Sequence, residues 1–518
     1  LDCTHVSPPR KNGESWKVNN CTTATCTDGV VIETPTPCPT VQQPICANGR
    51  QAVKVYDDTG CCFHYQCECV CNVWGGSHYL TFDGTSYDFN ENCSYYLVKE
   101  IITKHHLTII VNRDACNPLS TVPCPLSLRI EYKSFVIVLK QQQAKGQTAN
   151  EVFVNQKRVY PAYRNSDLQM TSTDMVITME IPGIDTIVVY RGTSVSIDLP
   201  YSMFGGNTEG QCGTCDNSHS NDCRSPNGQV EPCSESAGHW HVPGTPCVVP
   251  TTPPPTTTAS TTVETPTTEP PCKPAICDVL SSSVFGACHS TIPPRPFVQS
   301  CVSDVCSGGN NTCSSLEAYA TECSNAGICI DWRNATAGHC EHKCEGDKVY
   351  MACGPAVEPT CNDRYNQKFQ SDSGSSSNKT REGCFCPSGT ILFNTVYHTC
   401  VTSCDCVGPD GKPKQPGDTW TSGCNTCVCD KDSMSIQCEP YQCPTANTSL
   451  SCTEPGQQLL WKQFNLTVLC STECNVSRCP AVVTCPVGFQ LKATEGICCQ
   501  IYQCGTEHSH MVLHQTSH

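Results

Sequence analysis

Hydrophobic positions along this chain fall in short runs broken by polar residues, and the pattern changes with position. Between residues 72 and 249 the runs are β-branched and partly alternating: Leu107 to Val111, Leu126 to Lys140, Val152 to Tyr160, Met175 to Ile181 and Thr186 to Tyr190. Gly, Pro, Asn or Asp separates them, which predicts strands and enough apolar material for a true β core. After residue 272 the period changes. Ser315 to Cys323 places Leu316, Tyr319 and Ala320 on one helical face. From 345 to 504 the segments are short and punctuated by Gly and Pro, too small to fold on hydrophobic burial alone. The longest unbroken apolar run is the five residues from Phe135 to Leu139. A membrane-spanning helix needs about 18, so no membrane span is expected.

Composition explains how such small segments hold together. Of 518 residues 48 are cysteine, an even number that allows up to 24 bridges. That density points to a disulfide scaffold in an oxidising compartment and excludes an ordinary cytosolic enzyme. The balance of 48 acidic against 32 basic residues gives −16, so nucleic-acid binding is not expected. Eight Asn-x-Ser/Thr sequons, at Asn20, Asn92, Asn310, Asn334, Asn378, Asn447, Asn465 and Asn475, fit a secreted, glycosylated surface. The start at Leu1, with no Met or signal peptide, reads as an internal piece of a longer secreted precursor.

Residues 250–271 contain ten Thr, seven Pro and no Cys. Such a stretch cannot bury a core and has the composition of an O-glycosylated linker. It divides the chain, and cysteine spacing divides it further. The expected modules are 1–71, a cysteine-rich flank; 72–249, the β domain; 272–344, with ten cysteines and helical signals; 345–404; 405–443; 444–504; and a disordered tail, 505–518, carrying His508, His510, His514 and His518. The pattern Cys61-Cys62-x4-Cys67 recurs as Cys498-Cys499-x4-Cys504, each with Tyr-Gln before its last cysteine, so the modules that hold them are expected to be related.

Several motifs resemble known modules. Trp74 to Tyr79, Thr81-Phe82-Asp83-Gly84, Tyr87, Phe89 and Asn92-Cys93 resemble the opening of a von Willebrand factor type D domain. Leu199-Pro200-Tyr201, Asn207 to Gly210 and Cys212-Gly213-Thr214-Cys215 resemble its far end. Cys301-x4-Cys306, Leu316-Glu317-Ala318-Tyr319 and Cys329-x2-Trp332-Arg333 are similar to a C8 module. Tyr350, Cys353-Gly354-Pro355, Cys361 and Cys384-Phe385-Cys386-Pro387 resemble a trypsin-inhibitor-like (TIL) module. Gly408 to Gly411, Trp420 and Cys424-x2-Cys427-x-Cys429 resemble a von Willebrand type C module, and 444–504 is expected to be a second, VWC-like one. This order is that of the carboxy-terminal region of gel-forming mucins and von Willebrand factor. The Thr/Pro insert favours mucins of the airway, salivary or egg-white ovomucin type. The implied fold is mostly β, multi-module and disulfide-rich, with a small helical C8 module.

The resemblance carries site expectations. Type D domains bind calcium near the segment that here reads Cys215 to Cys223, and calcium takes six to eight oxygens. The expected ligands are Asp83, Asn217, Asn221 and Asp222; a polar turn with internal Asx hydrogen bonds is the alternative. Cys212 and Cys215 match the spacing of thiol exchange sites and the family's proposed assembly cysteines, but no thioredoxin-like context surrounds them, which favours plain structural bridges. Several relatives cleave themselves at an Asp-Pro bond inside Gly-Asp-Pro-His. Here the four residues are Gly75, Gly76, Ser77 and His78, so both the carboxyl and the imino acid are missing and no cleavage is expected.

The function implied is that of a non-enzymatic structural glycoprotein, part of a disulfide-linked gel-forming mucin whose partners are other mucin chains. The alternatives are a von Willebrand factor-like adhesive module, whose partner is another extracellular protein, and protease inhibition through the TIL module.

Overall fold

The fold is taken from a computed structural model of the chain. The structure describes residues 1–113, 126–144, 147–159, 162–245, 247, 272–309, 311–370, 380–395, 399–409, 411–422, 425–430, 436–440, 459–462, 467–470, 479–486, 489–495 and 499–506. The Thr/Pro stretch and residues 507–518 lie outside these; residues 505 and 506, expected in the disordered tail, end the strand Gln500–Thr506. The chain forms two compact units, Leu1–Cys400 and Val401–His518.

The first unit is built on a β-sandwich of a seven-stranded and an eight-stranded sheet. The two sheets share one core, because alternate residues point inward. In Leu126–Tyr132 the residues Leu126, Leu128, Ile130 and Tyr132 are buried, while Ser127, Arg129 and Glu131 are not. Ile177, Met179, Ile181, Val188, Tyr190 and Ile197 meet them from the other sheet. The strand Cys69–Trp74 enters the eight-stranded sheet between the distant strand Val195–Leu199 and the adjacent His78–Leu80.

Two long runs that read as single strands are hairpins. Leu126 to Lys140 turns at Lys133, giving Leu126–Tyr132 and Phe135–Ala144. Val152 to Tyr160 turns at Asn155 and Gln156, between Gln147–Val154 and Lys157–Val159. Lys133, Asn155 and Gln156 all have positive φ, and two consecutive positive values make the tight turn that matches strand twist. No glycine marks either turn, so periodicity alone runs through them.

A helical module packs beside the sandwich. Its helices Arg295–Cys306 and Ser314–Asn325 are tied by the bridges Cys272–Cys306, Cys277–Cys301, Cys288–Cys323 and Cys313–Cys340. Leu316, Tyr319 and Ala320 are buried as the helical period predicts. Their core also includes Trp74 and Leu80 of the sandwich, so the two modules share a hydrophobic cluster. An antiparallel pair of strands, Val349–Pro355 and Thr380–Phe385, follows, with the helix Asp363–Gln370 between them in the chain, and is joined to the helical module by Cys329–Cys353.

The second unit consists of two- and three-stranded sheets, with bridges Cys406–Cys429, Cys427–Cys438, Cys479–Cys499 and Cys485–Cys504. The repeated Cys-Cys-x4-Cys pattern has a structural counterpart. Cys62 and Cys67 pair with Cys38 and Cys46, and Cys499 and Cys504 pair in the same order with Cys479 and Cys485. Among the described residues no cysteine is free, and no helix is long and apolar enough to cross a membrane.

Candidate functional site

The loop from Cys215 to Cys223 is pinned at both ends, by Cys69–Cys215 and Cys223–Cys233. Asp83 is buried against it. Its carboxylate accepts backbone N–H groups from Asp216 at 3.1 Å, Asn217 at 3.1 Å and Ser218 at 3.0 Å. Asp222, also buried, accepts the Thr81 hydroxyl at 2.9 Å and the Thr85 hydroxyl at 2.5 Å. The Asn221 amide donates to Asp216 at 2.6 Å. Three oxygens then remain buried without a partner: Asp216 Oδ1, Asn221 Oδ1 and Asp222 Oδ1. Burial pushes the Asp83 carboxyl up to about 6; the amides of Ser218 and Asp216 pull it down, and the Asp222 charge adds to the rise. Asp222 is raised too, by burial, against the Thr85 and Thr81 hydroxyls. The loop therefore concentrates negative charge and unpaired oxygen in a desolvated place. That donor set fits a hard cation such as Ca2+.

Asn217 differs from its expected role as a ligand. Its side chain turns away from the carboxylates: Oδ1 accepts the Ala47 N–H at 2.6 Å and Nδ2 reaches the Ile45 carbonyl at 3.4 Å. Its backbone is left-handed, with φ of 63°, which asparagine tolerates better than most residues. Asn217 clamps the N-terminal flank onto the loop, and the unpartnered oxygen beside it belongs to Asp216. Oxygen counting along the loop cannot separate these neighbours, because direction depends on one φ angle.

Cys212 and Cys215 are not bonded to each other. They pair with Cys71 and Cys69, and all four are buried in the sandwich core. The two bridges fasten the aspartate loop to the strand Cys69–Trp74. This is a structural clasp, and the exchange-site reading gains nothing from it.

Gly75, Gly76 and Ser77 form the turn between Cys69–Trp74 and His78–Leu80. The Gly75 carbonyl accepts the Asn311 amide at 2.9 Å, and the Gly76 carbonyl accepts the Arg113 guanidinium. A Cβ on Gly75 would lie 3.1 Å from Ser314 Oγ and its φ is positive, so glycine is needed where the helical module comes close. Trp74 Nε1 donates to Ser315 Oγ at 3.1 Å. His78 is buried between Asp88, 2.6 Å from Nδ1, and Asp304, 2.8 Å from Nε2.

Sequence reasoning missed one further cluster. Glu382 is buried between Arg191 of the sandwich, at 2.5 Å, and Arg333 of the helical module. Arg333 also pairs with Glu317 at 2.7 Å, and the Tyr350 hydroxyl donates to Glu382 at 2.7 Å. Burial alone would raise the Glu382 carboxyl, but the Arg191 and Arg333 charges hold it down at about 2. Arg333, Glu317 and Tyr350 belonged to recognised motifs, but nothing in the sequence joins them to residues 191 and 382.

Of the sequons, Asn20 and Asn334 are exposed and Asn92 is half-buried. Asn310, Asn378, Asn447, Asn465 and Asn475 lie outside the described residues. Two Cys/His groupings, Cys93 with His241 and Cys247 and His342 with Cys344 and Cys384, have metal-like spacing. Their sulfurs are already joined as Cys93–Cys247 and Cys344–Cys384.

Comparison with known proteins agrees with this architecture. The von Willebrand factor type D domain family matches residues 71–229, and the C8 domain family matches residues 276–341. The chain is 40% identical to human Mucin-5AC and 39% identical to human Mucin-5B, in both cases over 97% of its length. This is a mucin-type D–C8 segment. It is also 36% identical, over 97% of its length, to the rat intestinal mucin-like protein, of which it covers 60%. It spans only 9% of each of the two human mucins. The segment is mostly β and disulfide-rich, and with its secreted relatives it belongs outside the cell. Those relatives are structural mucins.

Proposed function

We propose that this segment is a covalently pinned, non-enzymatic node of a secreted gel-forming mucin, joined with other mucin chains in a protective polymer gel. The observation that carries the reading is the construction of Leu1–Cys400. The D and C8 domains share a hydrophobic cluster, and a buried ion network and the Cys329–Cys353 bridge tie the following pair of strands to them. Such a block resists deformation, which is what a junction in a loaded network requires. Similarity to mucins along nearly the whole chain supports the same reading.

Calcium belongs to this proposal. The unpaired oxygens of Asp216, Asn221 and Asp222 would hold it, with Asp83 beside them fixing the loop through its backbone amides. When bound, the ion supplies charge neutralisation and locks the loop. Magnesium is a poorer candidate because it demands tighter octahedral geometry.

The test is single-molecule pulling on the full chain. Oxidised, it should extend only by the segments that no bridge encloses, and the extension should grow several-fold with reductant. Equal extension in both states would defeat the junction reading.

A further inference from the structure

His78 closes the Gly75–His78 turn at the contact between the D and C8 domains. It is nearly fully buried, and both ring nitrogens face carboxylates. Asp88 lies on the D-domain strand Ser86–Asp88, and Asp304 lies on the C8 helix Arg295–Cys306. A carboxylate only accepts, so both contacts are hydrogen bonds only if both nitrogens carry protons. The geometry is that of an imidazolium bridging two domains.

The surroundings supply no substitute for its charge. From the strand Cys69–Trp74 the nearby group is the Trp74 ring, 5.6 Å from the imidazole between centroids. The start of the helix Ser314–Asn325 contributes Ser314 and Ser315, which are uncharged. Arg113, on Leu107–Arg113, is committed to the Gly76 carbonyl and the Tyr79 hydroxyl. Asp88 is largely exposed and water can solvate it, but the Asp304 side chain is only 16% exposed and its Oδ2 is buried without a partner. A neutral imidazole keeps one of the two bonds and leaves Asp304 in the interface with no counter-charge.

We propose that His78 is a proton-operated latch between the D and C8 domains: protonated, it clasps Asp304 of the C8 helix against the D-domain turn, and on losing its proton it lets that helix loosen. Burial opposes the charge, but the Asp304 and Asp88 carboxylates outweigh it and the histidine is raised above its ordinary value. A group raised in the closed state contributes fully below its value in the open state, about 6.5, and that contribution is lost as pH rises through the closed-state value. Acidity therefore closes the latch, while the bridges keep the C8 domain folded in both states.

Hydrogen exchange on the full chain between pH 5.5 and 9 tests this, with protection factors used to divide out the intrinsic pH dependence. Protection of Arg295–Cys306 should fall above pH 6.5 by up to about tenfold per pH unit. Protection of the core strand Ile177–Ile181 should stay constant. In Asp304→Asn the step should vanish. His78→Gln should show low, pH-independent protection of the helix. A flat profile in the unmodified chain, or an unchanged step in Asp304→Asn, would overturn the latch. Asp304→Asn keeps the size of the side chain, so it decides the matter even if His78→Gln disturbs folding.

Discussion

Asp83 and Asp222 differ from ordinary surface carboxylates in having their charge desolvated and only partly compensated. Three amides and two hydroxyls are aimed at them, yet both carboxyls remain raised. The calcium proposed at Asp216, Asn221 and Asp222 would resolve this, and a ligand that binds only the folded state stabilises it by mass action. In the chelator-treated full chain, calcium at about 100 times its dissociation constant should add about 2.7 kcal/mol to the unit that holds the loop. The readout is the melting temperature. Asp222→Asn should abolish the increment while keeping a side-chain acceptor for Thr81 and Thr85. Asn217→Ala should leave the increment intact, because that side chain holds Ala47 and Ile45. An unmodified chain whose melting curve ignores calcium would reduce the loop to a polar turn.

At the scale of elements, the sequence was most informative where one local rule decides the outcome. Leu316, Tyr319 and Ala320 are buried on the face that a 3.6-residue period predicts, while Ser315, Thr321 and Glu322 of the same helix are buried by Trp74, Arg191 and Arg50, which the period could not show. The runs around Lys133 and Asn155 misled because a turn needs only one or two left-handed residues, and β-branched neighbours hide them. At the candidate site, Asp83 and the Cys215-to-Cys223 loop were legible as a group. The turning of the Asn217 side chain away from that group was not, since it depends on contact with residues 45–47, far away in the chain. Glu382 is the extreme case, for its partners lie 191 and 49 residues distant. It also gives the sharpest element-scale test. Glu382→Gln would leave Arg191 and Arg333 facing each other in a buried site, and breaking such a pair costs about 3–5 kcal/mol. The C8 domain and the strand Thr380–Phe385 should lose their hydrogen-exchange protection at lower denaturant than in the unmodified chain. A midpoint unchanged by this substitution would mean that the network adds no net stability.

Across the whole molecule, two sources of stability are unevenly shared. The D domain has a large apolar core, and its bridges Cys69–Cys215 and Cys71–Cys212 lie inside that core. Closing loops of this length removes roughly 4–5 kcal/mol of chain entropy per bridge in the simple loop model, on top of a fold that burial already supports. The second unit has little besides its bridges: Phe489 and Leu491 are exposed, and among its described residues burial is mostly of cysteine. Reduction should therefore proceed in order. Without reductant, a thiol-alkylating reagent should label essentially none of the 48 cysteines. With increasing reductant and no denaturant, Cys479, Cys485, Cys499 and Cys504 should be labelled first, and their hairpin should lose structure as they open. Cys69, Cys71, Cys212 and Cys215 should be labelled last, because a reductant reaches them only when the sandwich opens. Peptide mapping of alkylated positions against reductant concentration gives the order directly. Early labelling of the sandwich cysteines would show that the D domain, like its small neighbours, depends on its bridges rather than on its core.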